Sequence, residues 1–141
     1  MAGMTADEIR AFLLQGTRTA KLATVRADGR PHVAPVWFLL DGDDVVFNTA
    51  DASVKGRSLR RDGRVALVVD DETPPFAFVL IEGAATIDDD PAALRVWAER
   101  IAARYMGAEQ APAYGARNGV PGELLVRVRP SRVVGQKSVA D

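Results

Sequence analysis

The chain has 141 residues, 48% of them hydrophobic and 26% charged, which is typical of a globular protein with one compact domain over residues 1–141. Eighteen basic residues face nineteen acidic ones, so no overall field attracts nucleic acid or an anionic membrane. With no cysteine and a single histidine, we predict no metal site. No apolar run approaches the length of a membrane span and no signal pattern opens the chain, which favours a cytoplasmic location.

The first third of the chain predicts a helix followed by a meander of three strands. Thr5 and Glu8 have the spacing of a capping box, and the helix that they begin can end at Gly16. Alternating and β-branched residues then favour strands separated by turns, and Pro35 indicates a sheet edge or a bulge. The predicted strands are 19–25, 31–40 and 45–49, and the turns between them are Asp28-Gly29 and Asp41–Asp44.

The rest of the chain predicts two more helices and the remaining strands. One helix begins at Asp51 or Ser53, and the other at Asp90-Pro91, where an aspartate cap precedes a proline. The predicted strands are 65–69, 76–87 with a bulge at Glu82-Gly83, 124–128 and 132–134, and the segment 107–122 is predicted as a loop. The pattern predicts six or seven strands and three helices. It fits a closed or partly closed antiparallel barrel and an open α+β sandwich equally well.

One segment combines a strand end, a polar loop and a helix start with two cations. Lys55 and Arg57 lie two residues apart, and neutral donors precede them. Free backbone N–H groups at a helix start, together with Lys and Arg, can bind a phosphate. The neutral donors are Asn48, Thr49 and Ser53. The alternative is a solvated helix whose charges are partly balanced by nearby aspartates.

The order of several short motifs is similar to that of the pyridoxamine-phosphate-oxidase-like split barrels, a superfamily that binds flavins and deazaflavins. Each motif is weak alone, but together they follow the family's order over most of residues 17–88. The motifs are Gly29-Arg30-Pro31, Val33–Leu40, Phe47-Asn48-Thr49, Ser53–Leu59, Asp62–Leu67 and Ile81-Glu82-Gly83. The final strand, with Val126–Pro130, also fits.

The resemblance implies a mainly β fold with inserted helices, a six- or seven-stranded antiparallel, Greek-key-like split β-barrel. It also implies a homodimer with two cofactors at the subunit interface. The residues matching Lys55 and Arg57 bind the cofactor phosphate in the family, and Phe78 lies on the strand that lines the opposite wall. The other positions that match cofactor-binding residues are Pro35, Val36 and Trp37 along the ring, and Asn48 and Thr49 near the ring and ribityl chain. Ser53 completes the predicted cofactor-binding set as a neutral donor.

The resemblance also bears on which cofactor binds. Members that bind FMN carry an arginine on the second strand, and the corresponding position here is Ala34. Loss of that bidentate phosphate contact disfavours FMN. The segment Arg60-Arg61-Asp62 is closer to the actinobacterial branch that uses coenzyme F420, a 5-deazaflavin with an acidic oligoglutamate tail. Arg60 or Arg61 would then reach that tail, and F420 is the favoured cofactor.

By analogy with that branch, the prediction is an F420-dependent reductase for a small-molecule substrate. Reduced deazaflavin would pass a hydride to a conjugated acceptor such as a quinone, a tetrapyrrole or an enone. No catalytic acid–base residue stands out. Three alternatives remain at this stage: an FMN-dependent oxidoreductase of the same fold, a non-enzymatic F420 carrier and a purely structural β domain.

Overall fold

Eight strands and four helices make up the computed structural model, which describes residues 1 to 141. The strands are β1 (Ala2–Gly3), β2 (Ala20–Val25), β3 (Pro31–Val36), β4 (Leu39–Asp41), β5 (Asp44–Ala50), β6 (Arg64–Asp71), β7 (Ala77–Asp88) and β8 (Glu123–Lys137). The helices are α1 (Ala6–Leu14), α2 (Val54–Arg61), α3 (Pro91–Met106) and α4 (Ala111–Asn118). None of these helices has the length and apolar character that crossing a membrane requires.

The strands form one antiparallel sheet in the order β3-β2-β6-β7-β8-β5-β4, with β1 beside β8. The sheet curls around a single core, because Val36 at one end of this order packs in the same apolar cluster as Val45 and Phe47 near the other end. The terminal strands β3 and β4 are not paired with each other and are joined through Trp37 and Phe38. The barrel is therefore split at this β3–β4 seam, which confirms the predicted fold class over the open sandwich.

The helices cover different parts of this barrel. Leu13 of α1 and Leu59 of α2 extend the interior core. Helix α3 instead packs outside, where Leu94 and Trp97 contact Val46 of β5 and Leu125 of β8. We call this outer side of β5 and β8 the covered face.

The other outer side, formed by β3, β2, β6 and β7, receives no buried apolar residue from a helix. Residues paired between antiparallel strands have their side chains on the same face of the sheet. The strand register and the alternation of buried and exposed residues therefore show which side chains of these strands point outward and lie next to one another. Val33 is 65% exposed, and the others are exposed or half-buried. The apolar members are Val33, Pro35, Ala23, Ala66, Val68, Phe78 and Leu80. We call this surface the bare face.

Local signals in the sequence are confirmed where they depend on neighbouring residues. The Thr5 hydroxyl and the Glu8 carboxylate form the reciprocal bonds of a capping box. Gly29 closes the β2–β3 hairpin with a φ of 87°, a backbone conformation that L side chains rarely adopt. Asp90 caps α3, and the register of β7 shifts between Glu82 and Gly83 as predicted.

Several longer-range boundaries are wrong. The strand predicted over 31–40 is two strands, because the chain leaves the sheet at the β3–β4 seam. The segments 124–128 and 132–134 belong to one continuous strand, β8, since β7 pairs with both of them. The loop predicted over 107–122 contains α4, so the structure has four helices and eight strands rather than three helices and six or seven strands.

Candidate functional site

The start of α2 packs tightly against the end of β5. The Ser53 hydroxyl caps the helix by accepting the Gly56 N–H at 3.0 Å and donates to the Ala50 carbonyl at 2.7 Å. A Cβ at Gly56 would lie 2.2 Å from that same carbonyl oxygen, so only glycine fits this contact. Ser53, and not Asp51, is therefore the cap. By helix geometry, the backbone N–H groups of Val54 and Lys55 are left without an intrahelical acceptor.

Lys55 and Arg57 lie on different sides of α2. Residues two apart on a helix do not face each other, because each residue turns the helix by about 100°. Lys55 interacts electrostatically with Glu123 at the start of β8. Arg57 instead lines a groove beside the β2–β3 hairpin. The structure therefore separates the two cations that the sequence predicts to act together.

The Lys55 side of α2 adjoins the covered face. Glu123 pairs with Ala50 across β8 and β5, and Asn48 lies two residues further along β5 on the same face. Burial raises the pKa of the Glu123 carboxyl, while the charges of Lys55 and Arg117 act to lower it. Lys55 forms no ion pair within 4.0 Å and no side-chain hydrogen bond within the chain. A half-buried cation without a partner is thus available beside two free backbone N–H groups.

An aromatic cluster lies at the β3–β4 seam. The ring of Trp37 stacks on Tyr105 of α3, with centroids 5.1 Å apart and planes 3° from parallel. Tyr114 of α4 is tilted against Trp37 at 6.3 Å, and the Arg117 guanidinium lies 5.6 Å from the Tyr114 ring. The charge of Arg117, like that of Lys55, also acts on Glu123, so these residues connect the seam with the start of α2. We call this series, Trp37 to Lys55, the seam row.

Two residues at the end of α3 fix the seam in place. Arg104 donates to the carbonyl oxygens of Leu13 at 2.8 Å, Gly16 at 3.0 Å and Phe38 at 2.8 Å. The Tyr105 hydroxyl donates to Arg18 O at 2.7 Å and accepts the Phe38 N–H at 3.2 Å. Burial lowers the pKa of Arg104 and raises that of Tyr105. These bonds hold the backbone on which Trp37 is presented.

A second feature is the groove of about 430 Å³ between α2 and the β2–β3 hairpin. Four arginines line it, with Asp28 as the only acidic residue: Arg26, Arg30, Arg57 and Arg61. Two of these are engaged, since Arg30 pairs with Asp28 at 2.7 Å and Arg61 donates to the Val25 carbonyl at 2.5 Å. Arg57 has no partner, and the buried Nε of Arg26 has none either. This arginine groove suits an anion.

The nine predicted binding residues do not line one pocket in a single chain. Thr49 and Val36 point into the barrel core, and the Thr49 side chain, 4% exposed, approaches the Ser53 hydroxyl at 3.4 Å. Ser53 caps α2, and the remaining six predicted residues lie on three surfaces: Trp37, Asn48 and Lys55 near the covered face, Arg57 in the arginine groove, and Pro35 and Phe78 on the bare face.

Three members of the seam row were not predicted as site residues from the sequence. Tyr114 and Arg117 were assigned to a loop, and Glu123 received no role. The signal for α4 was present, since Pro112 stands at the second helical position and alanines follow, but the glycines of this segment obscured it.

An antiparallel barrel split at one seam, with a capped cationic helix beside it, is the architecture of the pyridoxamine-phosphate-oxidase-like split barrels. The family model described as pyridoxamine 5′-phosphate oxidase matches residues 5–137. The chain therefore belongs to this family. Membership of the family establishes the fold. It does not define the reaction, which depends on the residues of the site.

Three comparisons add detail. The chain is 27% identical over 135 residues to an F420H2-dependent biliverdin reductase from Mycobacterium tuberculosis, covering 96% of this chain and 90% of the relative. A conserved hypothetical protein from the same organism is 29% identical in structure-based alignment, with a TM-score of 0.83 over 96% of this chain and 86% of its own. A solved F420 reductase is 29% identical, with a TM-score of 0.70 over 87% and 94% of the two chains.

Proposed function

We propose that this protein is an F420-dependent reductase that transfers a hydride to a small conjugated acceptor. The observation that carries the proposal is the partnerless Lys55 at the start of α2, beside free backbone N–H groups and at one end of the seam row. Two relatives named for F420-dependent reduction, at 27% and 29% identity, support this choice of cofactor class. The fold of the family alone would not identify the cofactor class, because proteins that share a fold catalyse different reactions.

The residues fit the parts of such a cofactor. Lys55 and the N–H groups of Val54 and Lys55 would bind the phosphate, because a cation and unpaired amides at a helix start both favour an anion. Trp37 would lie near the flat ring system at the seam. Arg57 and Arg26, both without partners, would bind the acidic tail in the arginine groove. Arg60 is less suited, because Asp51 already holds it at 2.6 and 3.1 Å.

The choice of F420 over FMN rests on charge and position. Ala34 lies on β3 opposite Leu22, so its methyl group offers no phosphate contact where FMN-binding members carry an arginine. In FMN the phosphate is the last group of the molecule. In F420 the chain continues beyond the phosphate into a tail that carries carboxylates. Four arginines around one groove match that tail better than a short ligand.

The chain's own residues would contribute binding and orientation. Arg104 and Tyr105 hold the seam backbone, so Trp37 keeps one orientation against the ring. When bound, the reduced cofactor supplies the hydride that the acceptor receives. No side chain at the seam has the placement of an acid–base catalyst. The acceptor's proton would then come from water, and quinones, tetrapyrroles and enones remain the acceptor classes considered.

We further propose that the active form is a homodimer. The bare face exposes apolar residues, with Val33 65% exposed, interspersed with the charged residues Lys21, Asp70 and Glu82, and no helix of this chain packs over it. Pro35 and Phe78 lie on that surface, away from Lys55. A second subunit on the bare face would cover both residues, in keeping with a family whose cofactors lie at the subunit interface.

The test is a fluorescence titration of the purified protein with F420 and, separately, with FMN. We expect Lys55→Ala to weaken F420 binding by about 10- to 100-fold, the effect of losing a charge-assisted phosphate contact. Arg64→Ala is the matched control, because it removes a cation that pairs with Asp62 at 2.7 Å outside the site. F420 affinity unchanged in Lys55→Ala would contradict the proposed phosphate site.

Two further outcomes separate the alternatives. Tighter binding of FMN than of F420 would indicate an FMN-dependent oxidoreductase. Tight F420 binding without oxidation of reduced F420 by any quinone, tetrapyrrole or enone would indicate a carrier. Oxidation of reduced F420, followed by its absorbance as each acceptor class is added, would support the reductase.

A further inference from the structure

Glu123 is a half-buried carboxylate that the proposed function does not yet use. It begins β8, pairs with Ala50 at the end of β5, and shares the covered face with Asn48. Its Oε2 atom is fully buried and has no hydrogen-bond partner in the chain. A buried acceptor without a donor costs free energy, and native proteins rarely leave one.

The surroundings of Glu123 explain why a carboxylate is tolerated there. Lys55 on α2 and Arg117 on α4 both stabilise its charge, while Asn48, a neutral polar residue, lies on the same face two residues before Ala50. Neither cation approaches within the 4.0 Å of an ion pair. The oxygen is therefore in a favourable field but lacks a hydrogen-bond donor. A bound molecule with a hydroxyl or N–H group would supply that donor.

The position of Glu123 within the seam row indicates which part of a ligand it meets. Trp37 and Tyr114, 6.3 Å apart, mark the end where a flat ring would lie. Lys55 marks the end where a phosphate would bind. Glu123 lies between them, because Arg117 contacts the Tyr114 ring and also influences the Glu123 charge. A polyol chain that joins a ring to a phosphate would cross this point.

We propose that Glu123 accepts a hydrogen bond from a hydroxyl group of the cofactor's ribityl chain. The inference rests on the proposed function. It assigns Glu123 to specificity for a polyol linker between ring and phosphate. A direct phosphate contact is disfavoured because both groups are anionic, and the ring end of the row is marked instead by Trp37 and Tyr114.

A ligand–variant cycle tests this contact. Two deazaflavins without phosphate are titrated, one with a ribityl chain on N10 and one with an unsubstituted pentyl chain. The wild-type protein should prefer the ribityl compound by about tenfold, as expected for one hydrogen bond to a charged acceptor. Glu123→Ala should remove that preference and leave pentyl binding unchanged. Glu123→Gln should retain part of it, because the amide oxygen still accepts a hydrogen bond.

Glu109→Gln is the matched control, since Glu109 is exposed between α3 and α4. An equal ribityl preference in wild type and Glu123→Ala overturns the inference, and so does equal weakening of both ligands. In either case F420 binding by the wild type still supports the proposed function. Wild-type protein that binds neither F420 nor the ribityl compound overturns both proposals.

Discussion

The covered face and the bare face are two outer sides of the same barrel, and both carry apolar residues. On the covered face, Trp97 of α3 is 7% exposed over Val46 and Leu125. On the bare face, Val33 is 65% exposed and no helix packs over it. One chain therefore covers the apolar residues of one outer side and leaves those of the other exposed. The proposed dimer would cover the exposed side.

Strand β6 shows the same difference within one element. Its run Val65–Val69 has no polar interruption, a pattern typical of strands buried on both sides. In the structure Val65, Leu67 and Val69 are buried in the barrel, whereas Ala66 and Val68 are only half-buried on the bare face. In the proposed dimer, the second subunit would cover this outer side.

The largest expected effect is on the covered face. Trp97→Ala removes the side chain that joins α3 to the sheet, and we expect it to lower the free energy of unfolding by about 3–5 kcal/mol. Val33→Ala on the bare face should change it by at most about 0.5 kcal/mol at concentrations where the chain is monomeric. Urea denaturation followed by circular dichroism measures both. Equal costs for the two variants would mean that the faces do not differ as described.

The next effect concerns the proposed dimer. Val33→Asp puts a negative charge on the bare face of each subunit. We expect the dimer dissociation constant to increase by at least about tenfold, since like charges at an interface repel. Sedimentation equilibrium measures this dissociation constant. Val96→Asp is the control, because Val96 is 53% exposed on α3. A dimer that is broken by Val96→Asp and not by Val33→Asp would place the interface on the other side. A monomeric wild type would refute the dimer itself.

The smallest effect concerns Glu123, next to the covered face. Burial raises the pKa of the Glu123 carboxyl in the folded protein, so the folded state binds a proton at Glu123 more tightly than the unfolded chain does. Protonated Glu123 therefore stabilises the fold at acidic pH, and this contribution is lost as pH rises through the folded-state pKa. Glu123→Gln should therefore raise Tm slightly at neutral pH, with the difference vanishing in acid. Thermal unfolding across that pH range measures it, and a variant less stable than wild type at neutral pH would contradict the sign.

Agreement between sequence and structure is best where the interaction is local. The capping box of Thr5 and Glu8, the hairpin at Asp28-Gly29 and the cap at Asp90 each depend on residues within four positions. Their geometry follows from backbone conformation and short side-chain bonds, which the surrounding fold changes little. The resemblance to split barrels supplied the fold class, which pattern alone left open between two architectures.

Agreement fails where residues meet from distant parts of the chain. Lys55 and Arg57 are neighbours in sequence, but the turn of α2 sends them to different surfaces. Trp37 and Tyr105 are 68 positions apart and stack face to face only because α3 packs across the seam. No local pattern could assign Glu123 to Lys55, since the pairing of β5 with β8 creates that proximity.

Short-range sterics and hydrogen bonding decide the caps of α1 and α3, the hairpin turns, most strand positions and the cationic start of α2, so these features could be predicted from the amino-acid sequence. The position of the barrel split, the face that α3 covers and the membership of the seam row could not. Those outcomes depend on strand register and on packing between elements that are far apart in the chain, and a one-residue change in register would turn every side chain to the opposite face.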